Sequence, residues 1–366
     1  MPRPPLVLWL LCISLYAFPQ AASRTEFVRI VTDFSEPDGY FDTDNLISNE
    51  TTYLDAAAAL RKMKGAGGIY VGVGPDQNFS YIAHLRPAFA FLVDIRRGNL
   101  LEHLLFRALF EQSRNRMEYL CLLLGKPTPV DLQAWNNQPV LKIAAYLDKA
   151  PSKRDLFETT LTEVRRKVTA VGLALSQGDL KTIAGFHQRF FDDGLDLRFN
   201  THGREPQPYY PKFRDLIVAR GASGEPESYL ASEELFSVVK KMQMENRIIP
   251  IVGNLAGPKA LRRIGIYASE KHLLLSAFYT SNVEQYLGRG GDLNKFAENV
   301  KAFPRDANSL IIRSSFGYYS RRMNGGSYSE QLIQPVDEFA DGWDAGRLES
   351  YRNILEASHP VEKHVR

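Results

Sequence analysis

Residues 69–95 read IYVGVGPDQNFSYIAHLRPAFAFLVDI, and the fold turns on this stretch. Residues 69–73 are a short apolar run bounded by glycines, which predicts a strand buried on both faces. Gly72, Val73 and Gly74 close that strand. Residues 78–86 predict a short helix halted before Pro87, because a proline disfavours helical backbone in the residue preceding it. Residues 88–93 (AFAFLV) are a second buried strand, ended by Asp94, which stands 20 residues beyond Gly74. Strand, glycine turn, helix and strand form the unit from which parallel sheets are built, since parallel neighbours need a crossover.

The same periodicity extends outward. On the N-terminal side, residues 45–64 predict a helix with Leu46, Ile47, Tyr53, Leu54, Ala57 and Leu60 as its apolar positions and Gly65 as its stop. On the other side, residues 99–112 place Leu100, Leu101, Leu104, Leu105, Ala108 and Leu109 on one helical stripe. Residues 125–230 change character. Two helices, 154–176 and 179–191, are followed by a Pro/Gly/Tyr-rich connection over 201–224, which predicts a helical insertion or subdomain. The α/β pattern then resumes with a helix over 233–244, a strand over 248–252 and a helix opened by Gly257-Pro258. Next come a strand over 272–279 (HLLLSAFY), a helix over 293–303, a fifth strand over 309–316, a turn at Asn324-Gly325-Gly326 and a last helix over 345–358. This order predicts an α/β fold, a Rossmann-like, mostly parallel sheet with helices on both faces and a helical insertion. The units are 24–124 and 231–320 as the two halves of the core, 125–230 as the insertion and 321–366 as a C-terminal extension.

Composition narrows the function classes. The chain has 366 residues, with 45 Lys+Arg against 42 Asp+Glu and a formal net charge of +3, so no nucleic-acid partner is expected from global charge. Two cysteines exclude a disulfide scaffold or a thiolate-based zinc site. Residues 1–23 have the form of a signal peptide: Arg3, an apolar run over 6–18, Pro19, then Ala21-Ala22-Ser23 as small residues for cleavage. Export to the periplasm or the exterior is expected, the alternatives being a cytoplasmic chain or one anchored by residues 6–18. Removal of the leader would take Cys12 and leave Cys121 alone. No membrane span is expected after it, because Glu102, His103, Arg107, Glu111, Arg114 and Arg116 interrupt the most apolar remaining stretch.

The chemistry points to a small-molecule ligand at the glycine loop. Glycine lets a ligand approach the backbone without meeting a Cβ, and a helix N-terminus beyond it offers free N–H groups. Asp94, at the end of the next strand, is placed to accept hydrogen bonds from ribose hydroxyls. The third glycine of the dinucleotide pattern falls at Gln77, so a nucleoside without pyrophosphate fits better than a dinucleotide. Other readings stay open: a tight turn without ligand for Gly72 and Gly74, and for Asp94 a helix cap, with Asn99 competing, or an ion pair with Arg96 or Arg97. A crevice between the first and fourth strands would bring residues 72–77 and 280–282 to one pocket, with Ser48, Asn49 and Glu50 either covering it or capping a helix. There is no G-x-S-x-G elbow or H-E-x-x-H pair, and the seven histidines show no metal-ligand spacing, so no metal site and no catalytic residue is assigned. Asn49 and Asn78 head glycosylation sequons.

The stretch over 69–95 resembles the first strand, glycine loop, helix, second strand and terminal acid of the class I S-adenosylmethionine-dependent methyltransferase fold. Residues 277–287 (AFYTSNVEQYL) resemble the region near the transferred methyl group, with Asn282 at the Asn position; Val283 and Glu284 replace the aromatic and proline of amino-methylating members. The resemblance covers about a third of the chain. It implies an S-adenosylmethionine-binding, methyltransferase-like protein whose cofactor-binding residues are Gly72, Gly74, Asp76, Gln77, Asp94, Ile95 and Asn282, the acceptor being unknown. The alternative is an exported, non-catalytic ligand-binding protein that retains the fold. The chain is also similar to a bacterial family carrying SNETTYL (48–54) and VDIRR (93–97), which lends no activity.

Overall fold

A computed structural model describes residues 21–43, 45–65, 67–202, 207, 209–317 and 328–361. Its centre is a sheet of β1 (Ile69–Gly72), β2 (Phe89–Asp94), β3 (Ile248–Val252), β4 (Leu275–Ser281), β5 (Leu310–Phe316), β6 (Ser329–Pro335) and β7 (His359–Pro360). They lie in the order β3-β2-β1-β4-β5-β6-β7. The first five are mutually parallel; β6 runs antiparallel to β5, and β7 antiparallel to β6. The protein is thus mixed α/β with a mostly parallel sheet. β1 and β3 are buried along their whole length, as their unbroken apolar sequences require of strands covered on both faces. Pro250 is tolerated inside β3 because that strand is the sheet edge, where a missing N–H removes no ladder bond.

Helices cover both faces. α1 (Arg24–Phe34) packs on β3. α2 (Ala57–Lys62) leads into β1, and α3 (Gln77–Leu85) joins β1 to β2. The crossover from β2 to β3 starts with α4 (Arg97–Gln112). It continues through α5 (Arg116–Leu124), α6 (Val140–Lys149), α7 (Arg154–Val171), α8 (Gln177–Asp193) and α9 (Phe213–Ile217), and ends with α10 (Glu233–Met244). α11 (Ala260–Glu270) links β3 to β4, and α12 (Val283–Gly290) with α13 (Leu293–Lys301) links β4 to β5. α14 (Val336–Asp344) and α15 (Tyr351–Glu356) lie between β6 and β7. Among the described residues no helix is long and apolar enough to cross a membrane.

The structure departs from the sequence expectations at defined places. Only residues 57–62 of the helix expected over 45–64 are helical. Leu46, Ile47, Tyr53 and Leu54 are buried, but in turns whose amides are satisfied by β6: Ser329 Oγ accepts from Thr51 N (3.2 Å) and Gln331 Oε1 from Ala56 N (2.8 Å). The expected insertion shares one core with the sheet, since Ile143, Val164, Ile183 and Phe190 belong to the same buried cluster as Val71 and Phe91. β6, β7 and α14 were not expected, and the helix expected over 345–358 is confined to α15. The apolar leader run and Asn324-Gly325-Gly326 lie outside the described residues. The end of the expected leader lies inside them: Ser23 caps α1 by accepting from Glu26 N, and buried Ala22 donates its N–H to Glu245 O (3.0 Å).

Candidate functional site

β1 is flanked by β2 on one side and by β4 on the other, so the crossovers leaving this point run to opposite sides of the sheet. Ligands of open α/β sheets bind outside the carboxyl ends of strands at such a switch point. A cavity of about 340 Å³ opens there, with Gly74, Asp94, Gly253 and Ser281 on its wall from the ends of β1, β2, β3 and β4.

The glycine loop is held from below. Asn78 is fully buried, and its Nδ2 donates to the carbonyls of Val73 (2.9 Å), Gly74 (3.2 Å) and Pro75 (2.8 Å), while its Oδ1 accepts from Tyr70 OH (2.7 Å). This clamp explains Gly72: a Cβ there would lie 2.0 Å from Asn78 Oδ1. Gly72 therefore serves inward packing and does not line the cavity, a correction to its expected role. It also closes Asn78 to glycosylation in the folded chain. Gly74 does line the cavity, with φ +85, and a Cβ there would lie 3.1 Å from Gln77 Nε2. His103 Nε2, 3.0 Å from the Gly74 carbonyl, adds a support from α4. Burial pushes that imidazole down to about 4, so it is neutral and can donate only one N–H.

Asp76 is a second correction. It turns away from the cavity and accepts from Tyr229 OH (3.1 Å), and burial pushes its carboxyl up to about 7. Gln77 and Ile95 line the cavity. So does Asn282, at the N-cap position of α12, where its side chain makes no cap bond. Gln77 is 6% exposed, and its Oε1 has no hydrogen-bond partner.

Asp94 also lines the cavity, yet it is engaged by Arg96, the ion-pair reading. Its Oδ1 accepts from Arg96 N (2.9 Å) and Nε (3.0 Å), and its Oδ2 from Nη2 (2.7 Å). Arg96 is anchored in turn on Thr43 O, and Arg97 pairs with Asp179 instead. A carboxylate has about four acceptor positions. With three occupied, Asp94 has room for one ribose hydroxyl on Oδ2, not two, unless Arg96 moves.

The residue that sequence reasoning underrated is Glu50. Ser48, Asn49 and Glu50 all line the cavity, and the Glu50 side chain forms its floor, 1% exposed. Tyr279 OH (2.5 Å) and Ser281 Oγ (2.6 Å) donate to Oε1, and Ser314 Oγ (2.5 Å) to Oε2. Ser281 has φ +51, unusual for a residue with a Cβ, at a register shift between β4 and β5. Burial raises the Glu50 carboxyl against the lowering effect of its hydroxyl donors. No spacing in the sequence joins residue 50 to residues 279, 281 and 314. At the rim, Phe41 and Tyr286 meet edge to face at 4.9 Å, and Phe199 comes from the insertion.

Other constellations stay structural. Among the described residues no group of three or more His, Cys, Asp or Glu could hold a metal ion. Cys121 is buried, and its thiol is pushed up to about 12, which keeps it unreactive. Glu284 forms a fully buried ion pair with Arg313 (2.6 Å).

Residues 46–173 and 197–365 match the family described as a domain of unknown function (DUF7790). The chain belongs to this family. The matched residues include the cavity wall from Ser48 to Asp292, whereas Tyr40, Phe41, Thr43 and Asn45 precede them. No curated protein matches the chain.

Proposed function

We propose that this cavity binds a nucleoside-bearing small molecule, S-adenosylmethionine, in a Rossmann-like, methyltransferase-like fold, and that the chain is a transferase whose acceptor enters past the aromatic rim. The observation that carries the reading is the position of the cavity: it lies at the switch point between β1 and β4, with Gly74, Asp94 and Asn282 on its wall. The parallel strands β3-β2-β1-β4-β5 follow the order of doubly wound nucleotide-binding sheets, and 340 Å³ falls within the roughly 300–1,000 Å³ of small-molecule sites. Gly74 would admit the ligand to the backbone, Asp94 Oδ2 would accept one ribose hydroxyl, and the orphaned Gln77 Oε1 would accept a further donor. The cofactor supplies an activated methyl group; the protein aligns donor and acceptor and excludes water.

Titration calorimetry with S-adenosylmethionine tests this directly. A single saturable site is expected, weakened by about 1.5–3 kcal/mol in Asp94→Asn, the worth of one hydrogen bond to a charged group. Absence of heat at millimolar ligand removes the reading. Unchanged affinity in the variant removes Asp94 as the ribose acid. Binding without methyl release to any acceptor extract would favour the non-catalytic binding protein.

A further inference from the structure

We infer that the cavity selects a ligand carrying a positive charge, an organic sulfonium or ammonium, and that the Glu50 carboxylate receives it. Three acids line the cavity: Glu50, Asp94 and Asp292. Asp94 is paired with Arg96, and Asp292 with Lys295 (2.7 Å). Glu50 has only hydroxyl donors, and among the described residues no Lys, Arg or His forms an ion pair with it. The groups that face it are the phenols of Tyr70 from β1, Tyr81 from α3 and Tyr279 from β4; burial and Glu50 itself hold them well above their ordinary pKa, so they stay neutral and supply no positive charge to balance it.

An uncompensated carboxylate buried this deeply is unfavourable, and a cation arriving in the cavity relieves that. Oε2 accepts only from Ser314, which leaves it room for a ligand. A second acceptor stands by: Gln77 Oε1 is buried, partnerless and on the same wall, and the negative end of its amide dipole favours a nearby cation over a neutral ether or thioether. Phe41, Phe199 and Tyr286 also line the cavity, and aromatic rings attract a cation more than its neutral isostere. Acid floor, orphan acceptor and aromatic rim all favour the same sign of charge.

The test uses two ligand pairs that differ chiefly in charge, measured by calorimetry and thermal shift on the full chain and on Glu50→Gln. The first pair, S-adenosylmethionine against S-adenosylhomocysteine, rests on the nucleoside reading above. The second, choline against 3,3-dimethylbutanol, does not. The wild type is expected to prefer the cation of each binding pair by about tenfold or more, a difference of about 1.4 kcal/mol, and E50Q to bring the ratio of the two affinities within each pair close to one. If E50Q does not fold, Glu50→Asp replaces it, with a several-fold smaller preference expected. Equal binding of both nucleosides by the wild type, or a preference that survives in E50Q, overturns the inference and leaves the nucleoside reading intact. Failure of both nucleosides removes that reading, and the choline pair then decides: stabilisation by choline alone, lost in E50Q, upholds the inference, and no discrimination overturns it.

Discussion

At the residue scale, the site depends on a few side chains and one backbone conformation. Gly74→Ala forces an L-residue to φ +85 beside Gln77, and left-handed backbone costs such a residue about 1–2 kcal/mol; urea denaturation should show a loss of that size. Asn78→Ala removes three bonds to the loop carbonyls and leaves Tyr70 OH unpaired, which should cost about 2–4 kcal/mol in the same measurement. A loss below 1 kcal/mol, within the effect of an ordinary surface change, would mean that the loop holds itself. The buried Arg313–Glu284 pair has a different signature. Glu284→Leu alone strands the guanidinium and should cost about 3–5 kcal/mol, whereas the double variant with Arg313→Met should recover much of it, as a double-mutant cycle would read.

At the element scale, legibility followed burial. β1 and β3 are apolar and buried throughout, and β2 is so up to its last residue, Asp94, so their sequences alone placed them to within a residue or two. β6 (SEQLIQP) is as deeply set but polar, because Ser329 and Gln331 serve the turns at Thr51 and Ala56; its residues pointed away from a core that they in fact complete. The segment over 46–56 misled in the opposite sense. Its apolar spacing fits a helix, yet distant side chains supply the partners that a helix would have taken from its own carbonyls. α1 shows how an end is fixed locally: Ser23 accepts from Glu26 N, and Ser23→Ala should lower stability by about 1 kcal/mol in thermal denaturation, while an unchanged midpoint would show that packing on β3 alone holds the helix.

At the scale of the whole molecule, the insertion and the sheet share one core, so they should unfold together. Trp135 lies in the insertion and Trp343 on α14; with each kept as the single described tryptophan, their fluorescence transitions in urea should coincide, and two midpoints would mark separate units. The dependence of stability on pH sums opposing buried groups. The Asp76 carboxyl stands at about 7 against an ordinary 3.8, so its contribution is full below about 4 and is lost as pH rises through 7. His103 and His187, both at about 4 against 6.5, act the other way: their contribution is present above 6.5 and lost as pH falls through 4. Asp76→Asn removes the first effect alone. Its stability relative to the wild type should therefore rise between about pH 4 and 7 in urea titrations, and a constant difference would show that Asp76 does not titrate in that range.

The sequence by itself determined the parallel α/β frame, the glycine loop and the acid after the second strand, because apolar runs, glycines and their spacing are local properties of the chain. Gly74, Gln77, Asp94, Ile95 and Asn282 do meet at one cavity. Only the tertiary structure decided that Gly72 and Asp76 face inward, that Arg96 occupies most of Asp94, and that Glu50 forms the floor. Each of these depends on which group packs against the residue in the folded chain: Asn78 beneath Gly72, Tyr229 beside Asp76, and hydroxyls from β4 and β5 around Glu50. Tyr229 and the hydroxyls around Glu50 stand 153 to 264 residues from their partners, a separation that leaves no periodicity for a sequence to reveal, while Asn78 and Arg96 are near in sequence but find their partners only through the folded backbone.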